Sequence, residues 1–162
     1  MRAERVAIDP IAQFMQEHDQ ALAQLSSLTK ATRALEEQGY SADAYRKVLT
    51  ALTFIDDEVS VHNRREEEAL FPVLERYVEG PTQLMREEHK VLRREFRKLR
   101  TAVRRLEADT ANTTAARDLA RVSRGMVQLF VNHIHKENHI LFPLVQKFLT
   151  KDALREVARR ML

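Results

Sequence analysis

The chain of 162 residues has the length of one ordinary domain, enough to bury a real core. Three glycines, four prolines and a wealth of Ala, Leu, Arg, Glu and Gln predict helix nearly throughout, hence an all-α fold. The lack of cysteine excludes disulfides, zinc knuckles, iron–sulfur ligation and thiol nucleophiles, and a net charge of +3 with a sequence pI near 9.4 gives little reason to expect nucleic acid as a partner. No stretch approaches the roughly 20 apolar residues that span a bilayer. The charged N-terminus, Met1 to Pro10, lacks the apolar core of a secretory signal, so a cytoplasmic protein is expected.

The first helix is predicted from Asp9-Pro10, an N-cap followed by proline, to about Gln38, where Gly39 supplies a C-cap. Ile11, Phe14, His18, Leu22, Leu25 and Leu28 recur at three- and four-residue steps, which places His18 in the apolar stripe. Ser41 caps a second helix whose inner face carries Tyr45, Val48, Leu52, Ile55, Val59 and His62, then Glu66 one turn on. Residues i and i+4 differ by roughly 40° in direction and about 6 Å along the axis, so His62 and Glu66 point the same way. Glu67 and Glu68, beside Arg64 and Arg65, read as a solvated charged face. Pro72 predicts a kink or restart, with Phe71 and Leu74 closing the core.

Gly80-Pro81 opens the third helix, with Leu84, Met85, His89, Leu92, Phe96, Leu99, Val103 and Leu106 inward. Its other face carries Arg93, Arg94, Arg97, Lys98, Arg100, Arg104 and Arg105. Glu95 and Glu107 interrupt the positive charge and no aromatic is placed to stack on bases, so this face reads as solvated surface. After a polar linker, Asp109 to Thr114, a fourth helix runs from about Ala115 to Val145 or beyond, with Met126, Phe130, His133, Glu137, Ile140 and Leu144 inward. His135 and His139 lie roughly 200° and 240° round the helix from His133 and read as outward-facing. Asp152 to Leu162 predicts a short amphipathic helix that covers one bundle end or mediates self-association.

The chain is also internally duplicated. At a constant offset of 71 residues, Pro10, Glu17, His18, His62, Glu66, Leu70, Phe71 and Pro72 recur as Pro81, Glu88, His89, His133, Glu137, Leu141, Phe142 and Pro143. One domain is expected, an up-down-up-down antiparallel four-helix bundle of repeat halves 10–78 and 81–149 with a terminal helix at 152–162. Antiparallel pairing brings the four histidines and two glutamates to one depth. Two carboxylates buried among imidazoles are hard to explain as packing. Metal coordination accounts for all six, most economically as two ions about 3.5 to 4 Å apart bridged by Glu66 and Glu137. Nitrogen and oxygen donors without thiolate favour iron or manganese over zinc or copper. The Glu-x-x-His pair of ferritin-type sites does not occur.

Through His18, His62-x-x-x-Glu66, His89, His133-x-x-x-Glu137 and the two Leu-Phe-Pro tails, the sequence resembles the hemerythrin-like, or HHE cation-binding, family over roughly Pro10 to Phe148. The resemblance implies a non-haem di-iron centre with an oxo or hydroxo bridge, ranked ahead of manganese or zinc. His18 and His62 would hold one iron, His89 and His133 the other, and both glutamates would bridge. The oxygen carriers of the family place a further histidine one turn from the third-helix ligand, where this chain has Arg93 on one side and Met85 on the other. Reversible oxygen storage is thereby put in doubt. The expected function is binding and redox chemistry of O2, NO or peroxide, related to stress defence. The alternative is an oxygen, iron or redox sensor, or an iron-handling module, without turnover. The resemblance extends to iron–sulfur cluster repair proteins, which carry a separate cysteine-bearing N-terminal domain. Their role is expected less here, where cysteine is lacking.

Overall fold

The computed structural model describes residues 9–162; the charged stretch before them, read above as no secretory signal, lies outside the described residues through position 8. Asp9 accepts a hydrogen bond from the Ile11 amide at 2.9 Å and Pro10 fills the first turn, so α1 runs Pro10–Gln38. It stops at Gly39, whose φ of 82° lies in the left-handed region that a residue without Cβ enters freely. Ser41 caps α2 (42–74) through the Ala44 amide, Asn112 caps α4 (113–148) through Ala115, and Thr150 caps α5 (Lys151–Arg160) through Ala153. Between them α3 runs Thr82–Ala108 from Pro81.

α2 and α4 continue through their prolines. A proline cannot donate the regular helical hydrogen bond, and each helix widens into a π-helical turn just before it, at Glu66–Leu70 and Glu137–Leu141. The Phe71 and Phe142 amides reach back five residues to the Glu66 and Glu137 carbonyls. The predicted break is thus a local widening, and it starts at the two glutamates. A third π-helical turn, Ile55–Val59, has no counterpart in the second repeat.

α1 packs against α2 and α4, and α3 against α4, in an up-down-up-down four-helix bundle; α5 lies over the Glu66–Leu70 turn and touches α1. The last helix covers the bundle end, with Ala153, Val157 and Met161 buried and Arg76 paired to Glu156 at 2.7 Å. The core is split in two. One apolar cluster joins Ala21, Val59, Leu92 and Ile134 to the residues towards the Gly39 end, and the other joins Phe14, Ala69, Met85 and Leu141 to the residues under α5. His18, His62, Glu66, His89, His133 and Glu137 form the polar layer between them. No helix among the described residues is long and apolar enough to cross a membrane.

Some inward assignments fail. Leu84 is 50% exposed, because the buried stripe of α3 runs through Met85, His89 and Leu92 and leaves the preceding position about 100° away. Ile140 is 51% exposed and Leu144 half-buried. The wide turn at Glu137–Leu141 puts an extra residue into the circumference, and burial moves to Leu141, Phe142 and Val145. Leu22, Tyr45 and Leu52 are likewise half-buried at the rim of the core. These assignments predict that Leu99→Ala, at a fully buried site, lowers unfolding free energy by about 2–5 kcal/mol in urea titration. Leu84→Ala should stay within about 0.5 kcal/mol of the parent.

Candidate metal centre

Glu66 on α2 and Glu137 on α4 are fully buried, and His18, His62, His89 and His133, one from each of the four bundle helices, converge on them. His18 Nε2 lies 2.9 Å from Glu137 Oε1 and 3.2 Å from His62 Nε2, which is itself 2.9 Å from Glu66 Oε1. On the opposite side His89 Nε2 lies 3.2 Å from His133 Nε2 and 3.6 Å from Glu66 Oε1, while His133 Nε2 lies 3.3 Å from Glu137 Oε1. Each histidine pair, with both carboxylates, offers donor atoms all within 4.8 Å of one another. The six residues selected from sequence are therefore brought together, and the two glutamates stand in both groups.

The outer edges of the rings fix their protons. His62 Nδ1–H donates to Glu17 at 2.9 Å, His133 to Glu88 at 2.9 Å, His89 to Glu67 at 2.8 Å and His18 to the Asn138 amide oxygen at 2.7 Å. An ionised carboxylate or an amide oxygen accepts, so a hydrogen sits on each Nδ1, and in the neutral imidazole, the form that binds metal, each Nε2 turns a lone pair inward. Lone pairs then face lone pairs. Glu66 Oε1, Glu66 Oε2 and Glu137 Oε2 have no hydrogen-bond partner among the described residues, and the short approach of His62 to Glu66 is not angled as a hydrogen bond. Buried polar atoms left this way are costly, and a cation among them would satisfy oxygens and nitrogens together.

The charges are arranged to the same end. Each outer carboxylate has a cation at the rim: Arg65 is 3.7 Å from Glu17, Arg93 is 3.8 Å from Glu67, and Lys136 pairs with Glu88. The inner two have no lysine or arginine within 4.0 Å among the described residues. Imidazole protons take that place when metal is lacking. Burial disfavours the imidazolium of His89, but the carboxylates of Glu66 and Glu67 outweigh it and raise its pKa to about 9. His62 is pushed well above its ordinary range against burial, chiefly by Glu66, and His133 is raised against burial by Glu137.

Two phenyl rings wall the site. Phe142 stacks on His18 with centroids 5.4 Å apart, and Phe71 on His89 at 6.0 Å. The Leu-Phe-Pro tails thus plug the bundle end, as expected, and also press an apolar ring on each of these histidines. A cavity of about 20 Å³ reaches His18, His62, His133 and Glu137 between Ala21, Val59 and Phe130. Met85 is buried in the apolar cluster, Arg93 turns outward to Glu67, and the exposed His135 and His139 stack on each other away from the site.

Glu67, expected on the solvated face, is instead half-buried and accepts from His89, because the helix brings it beside α3. Glu68 is exposed. Glu17 and Glu88 carried a visible signal, the duplication directly before His18 and His89, but their partners lie 45 residues away on the next helix. With imidazole pKa values raised by folding, the metal-free protein is stabilised by protonation below about pH 6.5, and loses that contribution as pH rises through about 9. Thermal melts of metal-free protein should therefore fall across this window, and metal loading at pH 7 should release protons, measurable by calorimetry in buffers of different ionisation enthalpy.

The sequence profile of the hemerythrin HHE cation binding domain matches residues 9–145. The iron-sulfur cluster repair protein YtfE of Musicola paradisiaca is 32% identical over 133 residues, covering 78% of this chain. The chain spans 59% of that relative's length. With the profile match extending over most of the four-helix bundle, the chain belongs to the hemerythrin HHE cation-binding domain family.

Proposed function

We propose that this is a non-haem di-iron protein that binds a small redox ligand, O2, NO or peroxide. His18 and His62 hold one iron, His89 and His133 the other, and Glu66 and Glu137 serve both. The observation that carries the reading is the sharing of these two carboxylates between both donor groups, with three of their four oxygens otherwise unpartnered. An iron pair at such a site supplies redox-active metal to a small exogenous ligand.

The protein's own residues do the rest. Glu17, Glu67, Glu88 and Asn138 hold the imidazoles in the inward-facing tautomer. Phe71 and Phe142 exclude water from two of them. The cavity of about 20 Å³ sets the size of what enters, since roughly 10–15 Å³ suffices for one water molecule. A ligand of one or two heavy atoms fits; an organic substrate does not. No histidine stands at position 85 or 93 to complete the set found in oxygen carriers, which favours redox conversion over reversible storage.

A second reading, iron supply or repair without turnover, is favoured by the likeness to the iron-sulfur cluster repair protein. Rapid mixing separates the two: steady consumption of peroxide or NO by iron-loaded protein supports the first, while stoichiometric binding followed by iron transfer to a metal-free iron–sulfur protein supports the second. Metal analysis of protein from iron-supplemented cells should give two irons per chain. Glu137→Ala or His62→Ala should cut that content by half or more, and Glu67→Gln should keep the fold but weaken iron affinity by about 10–100-fold. Full iron content in both alanine variants would refute the ligand assignment.

A further inference from the structure

Beside the metal centre, α2 and α3 flank a second, larger concavity of about 400 Å³, which shares only Glu67 and Arg93 with the rim of that centre. Arg64 of α2 and Arg93, Arg97 and Arg100 of α3 line it, over a floor formed by the buried Ile55 and Phe96. Its carboxylates are already engaged: Asp56 pairs with Arg100, and Glu67 accepts from His89 and neighbours Arg93. Four guanidiniums against two carboxylates leave a local charge of +2. Arg64 and Arg97 carry it, since neither has a carboxylate within 4.0 Å among the described residues. The Asn63 side chain, only 7% exposed, stands in the wall between this groove and the small cavity at the metal centre, and enters no side-chain hydrogen bond among the described residues.

We propose that this groove binds a small phosphate-bearing anion of diphosphate or nucleotide size, with Arg64, Arg93 and Arg97 as its cationic clamp and the Asn63 amide beneath. Guanidinium forks match phosphate oxygens in pairs, which a lone ammonium does not. The volume lies within the roughly 300–1,000 Å³ of small-molecule sites. Concavity favours a small ligand over a nucleic-acid backbone, which would draw equally on exposed α3 arginines outside the groove, Arg94 and Arg104. Arg93 also neighbours Glu67 at the rim of the metal centre, whereas Arg64 and Arg97 have no ion pair or hydrogen bond to the six inner residues or their outer carboxylates among the described residues, so variants at these two test the groove apart from the metal reading.

Calorimetric titration of the full chain with inorganic pyrophosphate and with ADP, at low ionic strength, tests this. Saturable one-to-one binding in the micromolar range is expected. Arg64→Gln and Arg97→Gln orphan no partner, so the fold should persist by circular dichroism while affinity drops on the order of tenfold or more. Arg104→Gln removes the same charge from α3 outside the groove and should leave affinity nearly unchanged. The proposal is overturned if Arg104→Gln weakens binding as much as Arg97→Gln, if neither anion binds below millimolar concentration, or if duplex DNA displaces pyrophosphate and depends on Arg94 and Arg104.

Discussion

Two carboxylates, Glu66 and Glu137, sit without solvent at the centre of a bundle that is otherwise hydrocarbon above and below them. An isolated buried charge is strongly unfavourable, and attraction to a partner compensates only where geometry and hydrogen bonding are complete. Here they are incomplete on the inner side and complete on the outer. Every imidazole has its Nδ1 hydrogen bond and every outer carboxylate has a rim cation, so within the polar layer the deficit falls on the inner oxygens, Glu66 Oε1 and Oε2 and Glu137 Oε2. A protein that needed only a stable core would do better with leucine at these positions. Cations would meet this deficit, and on the proposed reading metal binding is coupled to the stability of all four helices.

The same bonds tie the repeat halves together. Glu17 reaches from α1 to His62 on α2, and Glu88 makes the equivalent bond from α3 to α4, so each hairpin is cross-linked within itself. Glu67 and Asn138 make the crossings between hairpins, from α2 to α3 and from α4 to α1. They occupy equivalent repeat positions yet differ in charge. A carboxylate makes the imidazole behind which it stands a stronger donor than an amide does, so the His89 side is the more electron-rich and the duplication is not a true symmetry.

Much of this was legible in the chain because it rests on short-range geometry. Asp9-Pro10, Gly39 and Ser41 mark helix ends through local backbone chemistry, and His62-x-x-x-Glu66 fixes two directions on one helix whatever lies around it. The duplication then multiplied each local signal by two. What escaped depends on neighbours. Glu67 looks like one more member of a charged run until α3 is placed beside it, and its repeat counterpart is an asparagine, which erases the duplicated signal. Ile140 fits a regular helical stripe and fails because the helix is not regular there. The four arginines at the second groove come from two helices, so the sequence showed only a basic face on one of them.

The wide turns connect this irregularity to the site. Each begins at a central glutamate and ends where Leu-Phe-Pro begins, so one proline relaxes the helix just after its carboxylate is placed and turns a phenyl ring onto a histidine one helix away. A straight α-helix would rotate Leu141 and Phe142 away from the positions they hold and leave the layer open towards α5. The proline, the π-helical turn and the aromatic wall are therefore one device: it closes the polar layer on the α5 side, while a small cavity between Val59 and Phe130 reaches His18, His62, His133 and Glu137 from the other.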